Sequence, residues 1–261
     1  MLEGVIPLIV VGSLIAVTVA IIVLWLAPAM PQRRVIFDLT PDMPTPFGCS
    51  MAWLALRTRD SHRVVTALGL DQPTDCNWST GLGAVYDGKL GPTRVFVAPP
   101  VNGWTLVAGP SLPHPVTDTF TDKLTPELLR LSTEFGEAQY FVSYPGLDMY
   151  AWMRANSGKL QRAFAIGEAG VIVDKGRTPK EEKALGLKLF EVRGLKTKMG
   201  AAGGGMLLYP TERHVMRIAG QWSIDPTVID KLAGQKPGLG RIGFAPASWR
   251  VELLRRRKTA A

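Results

Sequence analysis

The sequence is poor in cysteine and histidine. It has two cysteines, Cys49 and Cys76, and three histidines in 261 residues. Two cysteines are too few for a disulfide scaffold and lack the paired spacing of a zinc site, so two reduced thiols are the favoured interpretation; one disulfide is the alternative if the domain is exported. His62, His114 and His214 lie in separate segments and form no metal-binding motif such as H-E-x-x-H. We therefore predict neither a metal site nor a cofactor.

Sequence motifs of catalysis are also lacking. There is no G-x-S-x-G nucleophile elbow, and the glycine cluster within 194–205 lacks the Lys-Ser/Thr that completes a phosphate-binding loop. Carboxylates such as Glu134, Glu137 and Asp148 are scattered, as on any soluble surface. These absences favour a non-enzymatic protein. The alternative is a membrane-tethered hydrolase or transferase that uses dispersed Asp, Glu or His groups.

Basic residues outnumber acidic ones, 30 Lys and Arg against 22 Asp and Glu, for a formal net charge of +8. A hydrophobic share of 46% is enough for a packed core. The positive charge favours an acidic partner, which could be anionic lipid, nucleic acid or an acidic protein. Charge alone does not choose among them.

One uncharged apolar run, residues 5–26, stands near the amino terminus. About 22 residues at roughly 1.5 Å each cover the ~30 Å hydrocarbon core of a bilayer, and Trp25 sits where an interfacial ring belongs. Residues 1–30 are therefore predicted to be a transmembrane anchor. A signal peptide cleaved near residues 27–29 is the alternative.

The flanking charges predict the orientation of this anchor. Glu3 precedes the run and Arg33 and Arg34 follow it, so the positive-inside rule places the remaining chain in the cytoplasm. The prediction is a single-pass protein of the bacterial inner membrane, with a periplasmic domain as the alternative. The lipid bilayer is then one partner, which the basic residues 255–258 could also contact.

The predicted fold class is α+β: an N-terminal transmembrane helix followed by a mainly antiparallel sheet with flanking short helices. Apolar and alternating runs predict strands at 51–56, 94–99, 104–109, 138–144, in a hairpin within 150–170, and at 170–176. Helical spacing and capping residues predict helices at 61–68, at 125–135 with Thr125 as N-cap, from Thr178 to near Gly186, within 211–223, and at 225–232.

Shifts in composition divide the chain into segments. The predicted order is a transmembrane anchor (1–30), a proline-rich connector (31–50), an α+β domain (51–193), a flexible glycine-rich loop (194–205), a C-terminal helical part packed on the sheet (206–250) and a basic tail (251–261).

The candidate binding residues are aromatic and basic side chains on predicted strands: Trp104, Trp152, Arg154 and Arg162. Trp and Arg are the usual anchors of protein interfaces, and they also hold single-stranded nucleic acid. No sequence pattern of an RNA-binding domain accompanies them, so a protein partner is favoured over nucleic acid. In the hairpin, Trp152 is expected to face the core, with Arg154 and Arg162 at the sheet edge available for contact.

Several stretches rich in Gly, Trp and strand residues carry a family resemblance: "MAWLALR" (51–57), "NWSTGL" (77–82), "VFVAPPVNGWTLVAG" (95–109), "FGEAQYF" (135–141), "AWMRANSGKLQRAF" (151–164) and "MRIAGQWSIDPT" (216–227). The chain resembles a group of bacterial proteins, some of which are similar to immunity proteins of polymorphic toxin systems. The resemblance implies binding more than catalysis and transfers no site residue. A transmembrane span departs from a free-standing immunity protein and agrees with that family only where the toxin acts at or across the membrane.

Together these features predict a membrane-anchored, non-enzymatic binding protein that neutralises a bacterial toxin. Besides the enzyme, the alternative is an accessory or scaffold protein of an envelope or secretion system.

Overall fold

A computed structural model of the chain describes residues 36–186 and 209–252, together with Thr18. The strands are β1 (Met51–Leu56), β2 (Asp71–Cys76), β3 (Arg94–Val97), β4 (Thr105–Ala108), β5 (Glu137–Tyr144), β6 (Met149–Asn156), β7 (Lys159–Gly167), β8 (Gly170–Gly176) and β9 (Gly240–Phe244). The α-helices are α1 (Ser61–Leu68), α2 (Trp78–Tyr86), α3 (Leu124–Phe135), α4 (Lys180–Lys183) and α5 (Glu212–Trp222). A 3₁₀ helix covers Pro226–Lys231.

In the described part of the chain, nine strands form one sheet in the order β2-β9-β3-β4-β1-β5-β6-β7-β8. All neighbouring strands are antiparallel. Strands β5 to β8 follow one another along the chain and in space, as a meander. The structure is thus an α+β fold with a large antiparallel sheet and few helices.

Both faces of the sheet are covered, because alternate residues of each strand point to opposite sides. One face is rich in aromatic rings, such as Trp53, Phe141 and Trp152, and packs against α2 and α5. The other face is mainly aliphatic, with alanines and valines, and packs against α1 and α3. The candidate site described below lies on the aromatic face, at the β6–β8 end of the sheet.

Strands β6 and β7 form the hairpin that was predicted within residues 150–170. Ser157 and Gly158 both have positive φ, 45° and 77°, as a two-residue hairpin turn requires. The Gly158 N–H donates to Ser132 Oγ at 3.0 Å, which ties the turn to α3. Trp152 and Phe164 are directly opposite each other in register and fully buried.

Two predicted helix starts were wrong. Helix α3 begins at Leu124, because the Asp122 carboxylate accepts hydrogen bonds from the N–H groups of Leu124 and Thr125 and so takes the capping role assigned to Thr125. Helix α4 is one turn long and begins at Lys180. Its N-cap is Pro179, not Thr178.

Three elements were missed. Strand β2, "DQPTDC", is mostly exposed and has neither apolar alternation nor β-branched enrichment. Helix α2 was not predicted because glycines interrupt it. Strand β9 inserts between β2 and β3, although residues 206–250 were expected to be helical. It is paired with strands far away in sequence, so no local pattern indicates it.

The fold class requires one correction. No helix within residues 36–186 or 209–252 is long and apolar enough to cross a membrane. The longest helix in these two ranges, α3, has 12 residues and spans about 18 Å, well short of the ~30 Å of a hydrocarbon core. This finding contradicts the predicted class of a transmembrane helix followed by a sheet. The apolar run at 5–26, with Trp25, Arg33 and Arg34, lies outside the described residues, as do 194–205 and 255–258.

Candidate functional site: a basic pocket

A cavity of about 620 Å³ opens at the ends of β6 and β7, between the segment that follows β8 and the end of α5. We call it the basic pocket. Its lining residues are Arg154, Asn156, Gln161, Arg162, Arg177, Thr178, Pro179, Lys180, Lys183 and Trp222. Five of these are Arg or Lys, and none is acidic. A cavity of this size is in the range that binds ligands, and its wall carries one sign of charge.

Arg154 is held at the pocket by a buried carboxylate. Its Nε donates to Glu137 Oε1 at 2.6 Å, and the Glu137 side chain is 4% exposed. Gln139 also donates to this carboxylate, at 2.8 Å. The Arg154 guanidinium carbon lies 5.7 Å from the ring centroid of Trp222, within cation–π range. The network orients Arg154 through Nε and leaves its terminal nitrogens without a hydrogen bond to a described residue.

Arg162 is buried and fully engaged. It donates from Nε to Glu182 Oε2 at 2.7 Å and from Nη1 to Asp174 Oδ1 at 2.6 Å. Trp152 Nε1 donates to the same Glu182 oxygen at 2.9 Å. Burial lowers the pKa of Arg162, but its bonds to Glu182 and Asp174 more than offset this and raise the pKa overall. Arg162 therefore supports the wall of the pocket. It is buried, whereas the sequence analysis placed it at the sheet edge and available for contact.

Three cations on the segment after β8 remain accessible. Arg177, Lys180 and Lys183 are exposed and form no ion pair with an acid in the described part of the chain. An incoming anion would not have to break an existing pair to reach them. They form the outer, adjustable part of the pocket.

Trp222 closes the inner side of the pocket. It lines the cavity, is 6% exposed, and has the Arg154 guanidinium near its ring. The inner wall of the pocket is therefore a largely buried aromatic ring.

Comparison with protein-family models, curated proteins and solved structures finds no match.

The structure brings three of the four predicted binding residues together. Arg154 and Arg162 line the pocket, and Trp152 lies directly behind it, hydrogen-bonded to Glu182. Trp104 lies elsewhere, half-buried in the β3–β4 hairpin, with the Arg57 guanidinium 5.8 Å from its ring.

Sequence reasoning missed the outer cations and Trp222. The run "GRTPKEEK" (176–183) is rich in basic residues and contained a signal for them. Nothing local indicates Trp222, which reaches the pocket only because α5 packs on β5 and β6.

Among the described residues, the cysteines and histidines do not form a candidate catalytic group. The hydrogen bond to Glu212 raises the pKa of the Cys49 thiol, and burial raises the pKa of Cys76 to about 12, so neither thiol is activated. Cys49 lies just before β1 and His62 lies in α1 after it, with the six-residue strand between them in the chain.

The two other histidines already have hydrogen-bonding roles. His114 Nε2 contacts the Pro110 carbonyl at 3.0 Å and so must donate, which leaves Nδ1 to accept from the Tyr140 hydroxyl at 2.9 Å. Nδ1 of His214 accepts from the N–H of Thr211 at the start of α5. Within the described residues no group of His, Cys, Asp or Glu could hold a metal ion.

Proposed function

We propose that this chain is a non-enzymatic binding protein that recognises an acidic segment of a partner protein through the basic pocket. The observation that carries the proposal is the lining itself. It has five cationic side chains and no acidic one, and three of the cations, Arg177, Lys180 and Lys183, are exposed and form no ion pair with a described residue.

The geometry favours an acidic protein segment over single-stranded nucleic acid. Single strands are held by bases stacked on exposed aromatic rings. The aromatic residue of the pocket lining, Trp222, is buried, with the Arg154 guanidinium near its ring. Arginine and tryptophan are enriched at protein interfaces, where clusters of one charge speed association and select complementary partners.

The first partner to test is a toxin, because of the resemblance to immunity proteins described above. Where the neighbouring gene encodes a toxin-like protein, that product is mixed with the purified full chain and complex formation is measured. Binding and protection from toxicity support the proposal in its specific form.

A general test uses a fluorescently labelled decaglutamate peptide and anisotropy at low salt. The triple variant Arg177→Glu, Lys180→Glu, Lys183→Glu reverses the three accessible cations, and we expect it to lose at least about tenfold in affinity. The matched control Arg59→Glu, Lys89→Glu, Lys236→Glu changes net charge equally at exposed positions outside the pocket. Equal losses in both variants would mean that net charge alone attracts the peptide, and the proposal would then be wrong.

A further inference from the structure

We propose that Glu182 is the positioning residue of the basic pocket: it holds the segment 177–183, with its three accessible cations, on the cavity wall. This inference rests on the proposed function, since it concerns how the same pocket attains its affinity for anions.

Glu182 is unlike the rest of its helix. Helix α4 has the sequence "KEEK", and Glu182 is its buried residue, with 1% of its surface exposed. The Glu182 carboxylate accepts hydrogen bonds from Nε and Nη2 of Arg162 and from Nε1 of Trp152. These donors belong to β7 and β6, so the hydrogen bonds join α4 directly to the centre of the hairpin.

A one-turn helix needs such an anchor. Four residues are too few to form a stable helix on their own, because nucleation is costly and few internal hydrogen bonds repay it. Leu185 adds a partly buried apolar contact at the end of the segment. The paired contact of the Arg162 guanidinium with both carboxylate oxygens is the stronger and more directional attachment.

Glu182 determines where the three accessible cations lie. Lys180 and Lys183 lie two residues before and one residue after Glu182, and Arg177 begins the same segment. Each lines the cavity and is exposed, while Glu182 points into the sheet. Glu182 itself does not line the pocket; it lies behind the wall and attaches the wall to the sheet.

Neutralising Glu182 should change the affinity for an anion in opposite directions, depending on whether its charge or its positioning role dominates. Glu182→Gln removes a negative charge next to an anion site, so Coulomb attraction alone predicts tighter binding of an anion. If Glu182 positions the segment, the same change releases Arg177, Lys180 and Lys183 and weakens binding. The sign of the change in affinity distinguishes the two.

The experiment measures labelled decaglutamate by fluorescence anisotropy with the full-length protein in about 50 mM salt, where screening is modest. We expect Glu182→Gln to bind about fivefold more weakly than wild type. The matched control is Asp174→Asn, which removes the other carboxylate paired with Arg162 but lies on β8. It should bind at least as tightly as wild type. Glu182→Gln binding as tightly as Asp174→Asn would overturn the inference.

A second variant, Trp152→Phe, tests the inference independently in case Glu182→Gln does not fold. Trp152→Phe removes one hydrogen bond to Glu182 while leaving every charge and a buried aromatic ring in place. We expect it to weaken decaglutamate binding about twofold and to speed trypsin cleavage after Arg177, Lys180 and Lys183. Wild-type affinity together with wild-type cleavage rates would overturn the inference. Failure of the wild-type protein to bind decaglutamate at all would instead overturn the proposed function.

Discussion

Arg154 and Glu137 form an ion pair across two neighbouring strands, with Arg154 Nε donating to Glu137 Oε1 at 2.6 Å. Glu137 also lies 3.6 Å from Nη1 of Arg57. The buried Glu137 carboxylate thus lies between Arg57 and Arg154. It holds Arg154, which lines the pocket, through a hydrogen bond from Nε.

Neutralising that carboxylate should cost stability. Glu137→Gln leaves Arg154 Nε and the Gln139 amide with a weaker acceptor, so we expect the free energy of unfolding in urea to fall by about 1–3 kcal/mol. Glu127→Gln is the control, because the Glu127–Arg130 pair is a more exposed contact within α3 and should cost less than about 1 kcal/mol. Similar losses in both variants would contradict the role assigned to burial.

Stability should fall as the pH is lowered below neutrality. Burial lowers the pKa of His114, and burial together with Arg213 and Arg217 lowers the pKa of His214. The folded state therefore takes up these protons at lower pH than the unfolded state, whose histidines titrate near about 6.5. Stability is complete above that pH and is lost as the pH falls towards the folded-state values.

The pH effect is checked by urea unfolding at several pH values between about 7.5 and 5. We expect His114→Gln to unfold more readily than wild type at neutral pH but to lose less stability on acidification. An unchanged pH dependence in His114→Gln would show that Tyr140 and Pro110 do not hold a neutral imidazole.

The β6–β7 turn should not tolerate a side chain at Gly158. Its φ is +77°, and an added Cβ would lie 2.6 Å from Thr133 Oγ1. We expect Gly158→Ala to destabilise the fold by about 1–3 kcal/mol, measured by thermal or urea unfolding. Gly146→Ala, where no atom lies within 4 Å of the added Cβ, should change stability much less. A neutral Gly158→Ala would contradict the turn geometry.

The two thiols should differ in reactivity. Cys49 is exposed and Cys76 is buried, so iodoacetamide should label Cys49 in the folded protein and Cys76 only after unfolding. The reaction of Cys49 should be slow near neutral pH, because Glu212 raises its pKa. Glu212→Gln should speed it, and Cys49→Ser should abolish labelling of the folded chain. Rapid labelling of wild-type Cys49 at neutral pH would contradict this assignment.

Elements with local signals were predictable. The strands from β5 to β8 are joined by short turns, and Asn156, Ser157 and Gly158 mark the one between β6 and β7. Helix α5 was predicted from the spacing of Val215, Ile218 and Trp222, all of which are buried. These patterns depend only on residues within about one or two turns of each other.

Elements whose partners are distant were not predictable. β9 is a strand because β2 and β3 offer it backbone hydrogen bonds from more than a hundred residues away in the chain. Thr125 met the local rule for a helix cap, but the competing carboxylate of Asp122 was better placed.

The candidate site shows the same division. Sequence alone determined that Trp152, Arg154 and Arg162 would share one hairpin, because two alternating runs flank a short turn. Only the tertiary structure decided their roles. Glu182 and Asp174 meet Arg162 and bury it, whereas Trp222 and the cations around Glu182 surround Arg154 and make it the wall of a pocket. Whether an arginine supports the pocket wall or lines the pocket depends on the carboxylates that pair with it in the folded chain. Those carboxylates come from other segments, so a local sequence pattern does not specify them.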